Sequence, residues 1–226
     1  MHVKAFEVGA GKHQALQIFD VDIDHQYWRQ YALNDGQLVK EQQSYYPGKR
    51  APLPKKYVQQ LFSAIAPYLY QHLGLTQNHG LQPTNAVFSV VAKSPQELAI
   101  NQKYPHIDNT KANSLAIMHY LSEHKHGGTG LFRHKQTGLE RINANVEQQY
   151  LAATTASDFI NDYQSSGYLQ GSDSHYELIH RFDYCDNSVV VYPANLLHCG
   201  LINAQQDLNS QSPRLTANVF VDIVSK

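Results

Sequence analysis

Cysteine is almost absent from this chain: Cys185 and Cys199 are the only two in 226 residues. That excludes a disulfide framework and a cysteine-based zinc site, and each is expected to be a plain buried thiol. A charge of one sign is lacking too. Lys and Arg total 18 against 19 Asp and Glu, a net charge of −1. There is thus no basic footprint for nucleic acid and no charge run for an anionic membrane surface. Long hydrophobic runs are missing as well. Residues 1–8 alternate polar and apolar side chains, unlike a leader, and no later stretch reaches the ~20 apolar residues that span a bilayer. These absences lead to the expectation of a soluble, cytoplasmic chain whose partner is a small molecule or a peptide.

Histidine, by contrast, is plentiful at 13 residues, and one stands in Tyr104-Pro105-His106-Ile107-Asp108. In an extended segment, side chains two apart project to the same side. His106 and Asp108 can therefore offer an imidazole nitrogen and a carboxylate oxygen to one ion. One more imidazole would complete the two-histidine, one-carboxylate set typical of non-haem Fe(II) oxygenases. The plain alternative is a solvated turn at a strand end.

Along the chain, residues 3–8 and 16–23 read as two strands joined by a Gly9-Ala10-Gly11-Lys12 turn. Gly11-Lys12 fails as a phosphate loop, because Phe6 stands at the first glycine position and His13 replaces the magnesium-holding Ser or Thr. Asp20, Asp22 and Asp24 fail as a calcium loop, because His25 and Tyr31 occupy the glycine and bidentate-glutamate positions. They read instead as the wet face of a strand whose dry face is Val21 and Ile23. Pro47, Gly48, Pro52 and Pro54 mark a loop. Val58, Leu61, Phe62, Ile65 and Leu69 then fall at helical spacing, with a stop at Gly74 and an expected kink or split at Pro67. This helix is expected to pack on the outside of a sheet.

From residue 85 onward, short β-like runs take over, at 86–92, 98–106, 114–121, 131–134, 176–182, 188–192, 197–202 and 215–223. Strands at this density suggest a mainly β fold with flanking helices, of the jelly-roll kind, a double-stranded β-helix. One domain over residues 1–226 is expected. Within it, 1–84 supplies N-terminal strands and a supporting helix, and 85–226 forms the β-helix core. A polar insertion at 137–174 has weak helical patterning (Tyr150, Leu151, Phe159, Ile160, Tyr163) and reads as a lid or substrate-facing element. An exposed edge strand near the N-terminus would permit a homodimer.

The end of the chain carries the most chemistry. His198 follows an apolar run and a turn, well placed to face inward. From Arg214 to Val221 the pattern alternates strictly: Arg214, Thr216, Asn218 and Phe220 on one face, Leu215, Ala217, Val219 and Val221 on the other. The first face either wets an edge or lines an anion pocket.

In this order, His106-x-Asp108, the Ser114 to Ser122 run with Tyr120, Gly127-Gly128, His198 and Arg214-x-Thr216 resemble the core of 2-oxoglutarate- and Fe(II)-dependent dioxygenases, especially the prolyl 4-hydroxylase-like branch. The resemblance implies that His106, Asp108 and His198 hold Fe(II) and leave positions for 2-oxoglutarate and O₂. It implies that Arg214 grips the distal carboxylate of 2-oxoglutarate, with the hydroxyls of Tyr120 and Thr216 beside it. Asn218 and Phe220 would face the metal and substrate. The implied activity is hydroxylation of a peptide, an amino acid or another small metabolite. A non-catalytic cupin-like module that only binds a metal or ligand is the alternative.

Three features depart from that family. His198 and Arg214 are 16 residues apart, with a polar loop at 205–212 between them. Residues 98–103 lack the tyrosine-rich approach of the prolyl hydroxylases, and the 137–174 insertion is foreign to the minimal core. His119, His124 and His126 form a rival imidazole cluster, expected to be solvent-exposed. Cys199 is expected to face away from the metal.

Overall fold

The computed structural model describes residues 1–40 and 46–226. Strands β1 (His2–Val8) and β2 (His13–Phe19) form the expected hairpin. The amides at its turn do face an anion, but one that the chain supplies. Glu140 accepts from Ala10 N at 2.9 Å and Gly11 N at 3.1 Å, and also pairs with His13 and Arg133. The second strand ends earlier than expected. Asp20 takes φ 53°, which turns the chain out of the sheet. Asp24 is therefore not on a wet strand face but caps helix α1 (His25–Asn34), accepting from Tyr27 N at 3.0 Å. The sequence hid this helix because its buried stripe, Trp28, Arg29 and Ala32, includes a cation. Arg29 is buried against the Leu121 carbonyl and two carboxylates, Glu123 and Asp186.

After β3 (Val39–Lys40) and β4 (Gly48–Pro52), helix α2 (Lys55–His72) runs unbroken through Pro67. Pro67 and the residue four before it, Ser63, are both on the exposed side. The carbonyl that loses its helical donor there can bond water instead. The opposite side buries Tyr57, Leu61, Ile65 and Leu69. Strand β5 (His79–Val91) is followed by two 3₁₀ turns, Pro95–Glu97 and Ile100–Gln102, where a strand over 98–106 was expected. Local polar side chains defeat the strand. Glu97 Oε2 accepts from Ser94 N at 2.8 Å and Gln102 Oε1 accepts from Ala99 N at 3.1 Å, each closing a turn on itself.

The remaining elements are β6 (Ser114–Tyr120), β7 (Thr129–His134), α3 (Glu147–Thr154), α4 (Ser157–Gln164), β8 (Tyr176–Phe182), β9 (Val189–Pro193), β10 (His198–Gly200), α5 (Ala204–Asp207) and β11 (Leu215–Ser225). Two antiparallel sheets result, one ordered β1-β2-β9-β6-β11-β5-β4-β3 and the other β10-β7-β8. The N-terminal strands thus extend the same large sheet that holds β6, β9 and β11. Its outer face packs on α1 and α2 through Ile117, Val191, Ala217 and Val219. Between the sheets lie Ala116, Tyr120, Leu131, Phe182 and Tyr192. The insertion covers the outside of the small sheet, where Tyr150, Phe159 and Tyr163 join Phe132, Tyr176 and Leu197. This is a jelly roll, mainly β with flanking helices.

His119 shows what the helix layer does. It points away from Tyr120 as alternation requires, yet it is fully buried rather than exposed, because that face of the sheet is roofed by α2. Nε2 meets Asn187 Oδ1 at 3.0 Å and Nδ1 meets Tyr57 Oη at 2.7 Å. Burial pushes its pKa down to about 3 from an ordinary 6.5. The unfolded chain therefore binds a proton here that the folded chain refuses. Stability from this group is complete above about pH 6.5 and is lost as pH falls toward 3. Denaturation midpoints measured across that window should fall with acid, and His119→Gln should lessen the slope.

Candidate metal centre and anion pocket

The site begins with main-chain geometry. His106 and His198 form an isolated antiparallel bridge, each amide donating to the other's carbonyl at 2.9 Å. Asp108 N donates to Ala194 O at 2.9 Å, which continues the extended segment alongside the turn before β10. His106 and Asp108 consequently project together, as the His-x-Asp spacing predicts. The two imidazole rings lie 4.5 Å apart between centroids. One ligand atom from each of His106, Asp108 and His198 falls within 4.8 Å of the other two.

The protonation of these groups suits cation binding. His198 Nδ1 lies 2.8 Å from the Leu196 carbonyl, which can only accept. That engages Nδ1 as a donor, while Nε2 faces Asp108 Oδ2 at 3.5 Å. Burial, with His198 and Arg50 nearby, holds the His106 pKa well below the ordinary value, so the ring is neutral at pH 7. Burial pushes the Asp108 carboxyl up, opposed by His198 and Arg50. Asp108 Oδ2 is buried with no hydrogen-bond partner. An orphaned carboxylate oxygen beside two imidazoles fits a divalent ion, and the donor set of two nitrogens and one oxygen fits Fe(II).

A cavity opens from these three residues toward β11. All four residues of the predicted inward face, Arg214, Thr216, Asn218 and Phe220, line it. Arg214 is buried at 2% exposure; its Nε donates to Gly127 O at 2.6 Å and its Nη2 to Gly128 O at 3.2 Å. The Gly127-Gly128 pair is required here by close approach. A Cβ at Gly127 would stand 1.8 Å from Leu201 O, and one at Gly128 would stand 1.9 Å from Phe182 O.

Tyr120 is placed differently from its expected role. Its hydroxyl is engaged by Thr129 Oγ1 at 2.7 Å, its ring lies 5.7 Å from the Arg214 guanidinium carbon, and it does not border the cavity. The rival histidines divide. His124 is exposed, but His126 is buried and bonds Asp207 Oδ1 at 2.9 Å. Cys185 is exposed, not buried; Cys199 packs beside Phe132 and Leu197, although it also edges the cavity.

Sequence reasoning missed several cavity residues. Met118 and Ala116 on β6 could have been found, since they alternate with the helix-facing Leu115 and Ile117. Tyr46, Gln102 and Tyr168 could not, because they sit on loops without periodicity. These loops are laced together at the cavity. Gln102 Nε2 donates to Tyr46 O at 3.2 Å, Lys93 Nζ to Gln102 Oε1 at 3.0 Å, and Tyr168 Oη to Lys93 O at 2.7 Å.

The orphaned oxygen has a measurable consequence. In metal-free protein, Asp108→Asn should leave stability unchanged or raise it by about 1 kcal/mol, because it removes the charge from a buried carboxylate whose Oδ2 has no hydrogen-bond partner. With Mn(II) at 100 times its Kd, the wild type should gain about 2.7 kcal/mol and the variant far less. Urea denaturation with and without Mn(II) measures both signs.

Among curated proteins, none matches this sequence. Among solved structures, the fold is similar to that of the non-haem α-ketoglutarate-dependent epimerase SnoN from nogalamycin biosynthesis. That match has a TM-score of 0.53 and 11% identity over 92% of this chain and 78% of that one. HygX from Streptomyces hygroscopicus, solved with nickel and 2-oxoglutarate bound, matches at a TM-score of 0.49 and 12% identity over 92% and 82%. At such identities the likeness is one of fold. By sequence, DUF6445, a family of unknown function, matches residues 1–221, and the chain belongs to that family.

Proposed function

We propose that this chain is an Fe(II)- and 2-oxoglutarate-dependent oxygenase that hydroxylates an unactivated C–H bond in a small molecule. The observation that carries the reading is the convergence of His106, Asp108 and His198, whose ligand atoms lie within 4.8 Å of one another at the head of a cavity that Arg214 lines. Bound Fe(II) with 2-oxoglutarate would supply the oxidative chemistry, coupling decarboxylation of the co-substrate by O₂ to oxidation of the substrate.

The protein's own part is binding, orientation and exclusion of water. His106, Asp108 and His198 would occupy one face of the ion and leave the rest open. Arg214 would hold the distal carboxylate of 2-oxoglutarate, with the Thr216 hydroxyl beside it, because a dianion in a mostly apolar cavity needs a fixed cation and donors. Met118, Tyr192 and Phe220 line the same space and keep it apolar. The presence of Asp108 favours hydroxylation, since related halogenases lack that carboxylate. The laced loops carrying Tyr46, Gln102 and Tyr168 favour a small molecule over a polypeptide. Two 3₁₀ turns replace the tyrosine-rich approach of the prolyl 4-hydroxylase-like branch, which favours a substrate other than its peptides.

Anaerobic titration of the protein with Fe(II) and then 2-oxoglutarate tests this directly. A weak visible charge-transfer band should appear, weaken in Arg214→Ala and be lost with turnover in Asp108→Ala. Iron binding without a band would overturn the reading in favour of a binding module.

A further inference from the structure

Residues 205–212, between β10 and β11, read in the sequence as a polar loop that only lengthens the path from His198 to Arg214. One residue of this segment does more. Asp207, at the end of α5, is fully buried. A carboxylate at that depth needs compensation, and most of it comes from the loop that leads into β7. Oδ1 accepts from His126 Nδ1 at 2.9 Å and from Gly127 N at 3.1 Å. Oδ2 accepts from Gly127 N at 3.2 Å and from Asn203 N at 2.8 Å.

Gly127 is also the residue whose carbonyl receives Arg214 Nε at 2.6 Å. The main chain closes the loop, with Arg214 N donating to Asp207 O at 3.1 Å. Asp207 therefore grips Arg214 from both ends: its backbone carbonyl holds the arginine's amide, and its carboxylate holds the glycine that orients the guanidinium. The guanidinium itself donates to two main-chain carbonyls rather than to that carboxylate. Carbonyls fix its direction without neutralising its charge, which stays available to an incoming anion.

We propose that Asp207 is the positioning residue for Arg214, setting through Gly127 the direction in which the guanidinium meets the distal carboxylate of 2-oxoglutarate. The assignment rests on the oxygenase reading above. It gives the polar loop a purpose: it delivers a buried charge one residue removed from the anion site.

Two 2-oxo acids separate this role from a merely structural one. Pyruvate has the metal-chelating end of 2-oxoglutarate but no distal carboxylate, so only 2-oxoglutarate reports on Arg214. Both are titrated by anaerobic calorimetry into Fe(II)-loaded wild type and Asp207→Asn. The asparagine keeps the shape but removes the charge and aims an amide donor at the amides of Gly127 or Asn203. The expected result is a loss of 2-oxoglutarate affinity of roughly tenfold to a hundredfold, with Fe(II) and pyruvate affinities unchanged. Unchanged 2-oxoglutarate affinity, or a parallel loss for both acids, overturns the assignment. A wild type that fails to prefer 2-oxoglutarate to pyruvate overturns the oxygenase reading itself. Should Asp207→Asn not fold, His126→Ala decides in its place: it keeps the charge, strips one partner, and should give a smaller loss confined to 2-oxoglutarate.

Discussion

Everything at the centre of this molecule hangs on two hydrogen bonds between the main chains of His106 and His198. The small sheet has only three strands, β10-β7-β8, and this bridge supplies its fourth rung. It joins residues far apart in sequence and sets their rings side by side, so the geometry of the donor set follows from the backbone rather than from flexible side chains. Asp108 inherits its place from the same segment. The insertion reinforces it from behind, where Tyr150 Oη donates to the Pro105 carbonyl at 3.1 Å and meets Tyr176 Oη at 2.7 Å. The helices at 147–164 are therefore a buttress of the segment that carries His106 and Asp108, on the far side of the small sheet from the large one.

Three buried charges are handled in one manner. Glu140 is satisfied by two amides and a guanidinium, Asp207 by amides and an imidazole, and Arg214 by carbonyls. Each pins a loop that periodicity alone would leave undefined. Asp108 differs from these three, with one carboxylate oxygen left without a hydrogen-bond partner. That oxygen lies beside two imidazoles, where a divalent ion would satisfy it.

Much of this was legible in the sequence, and for definite reasons. Strict alternation from Arg214 to Val221 fixed which side chains share a face, because a strand has a period of two whatever its surroundings. The His-x-Asp spacing worked for the same reason. The jelly roll followed from the density of short β runs, and helix α2 from the five-residue stripe Val58, Leu61, Phe62, Ile65 and Leu69. Illegible were features set by tertiary context or by local polar competition. No pattern said that the far side of β6 lies under a helix, so His119 read as wet. Residues 98–106 read as a strand, because the self-capping of the turns by Glu97 and Gln102 is invisible to hydrophobic periodicity. Tyr120 matched a family position, yet Thr129 claims its hydroxyl.

Strand β11 lies between β6 and β5 in the large sheet, pairing with both along most of its length. It follows every other element in chain order. Neither neighbour can close its open edge until β11 has been made, so the middle of this sheet is completed late while its flanks wait unpaired. The same strand carries Thr216, Asn218 and Phe220 and follows directly on Arg214. A ribosome-bound chain that already holds His106, Asp108 and His198 would thus lack the β11 side of the cavity and carry an exposed β5–β6 gap. During synthesis, that gap leaves two unpaired strand edges open to pairing with another chain.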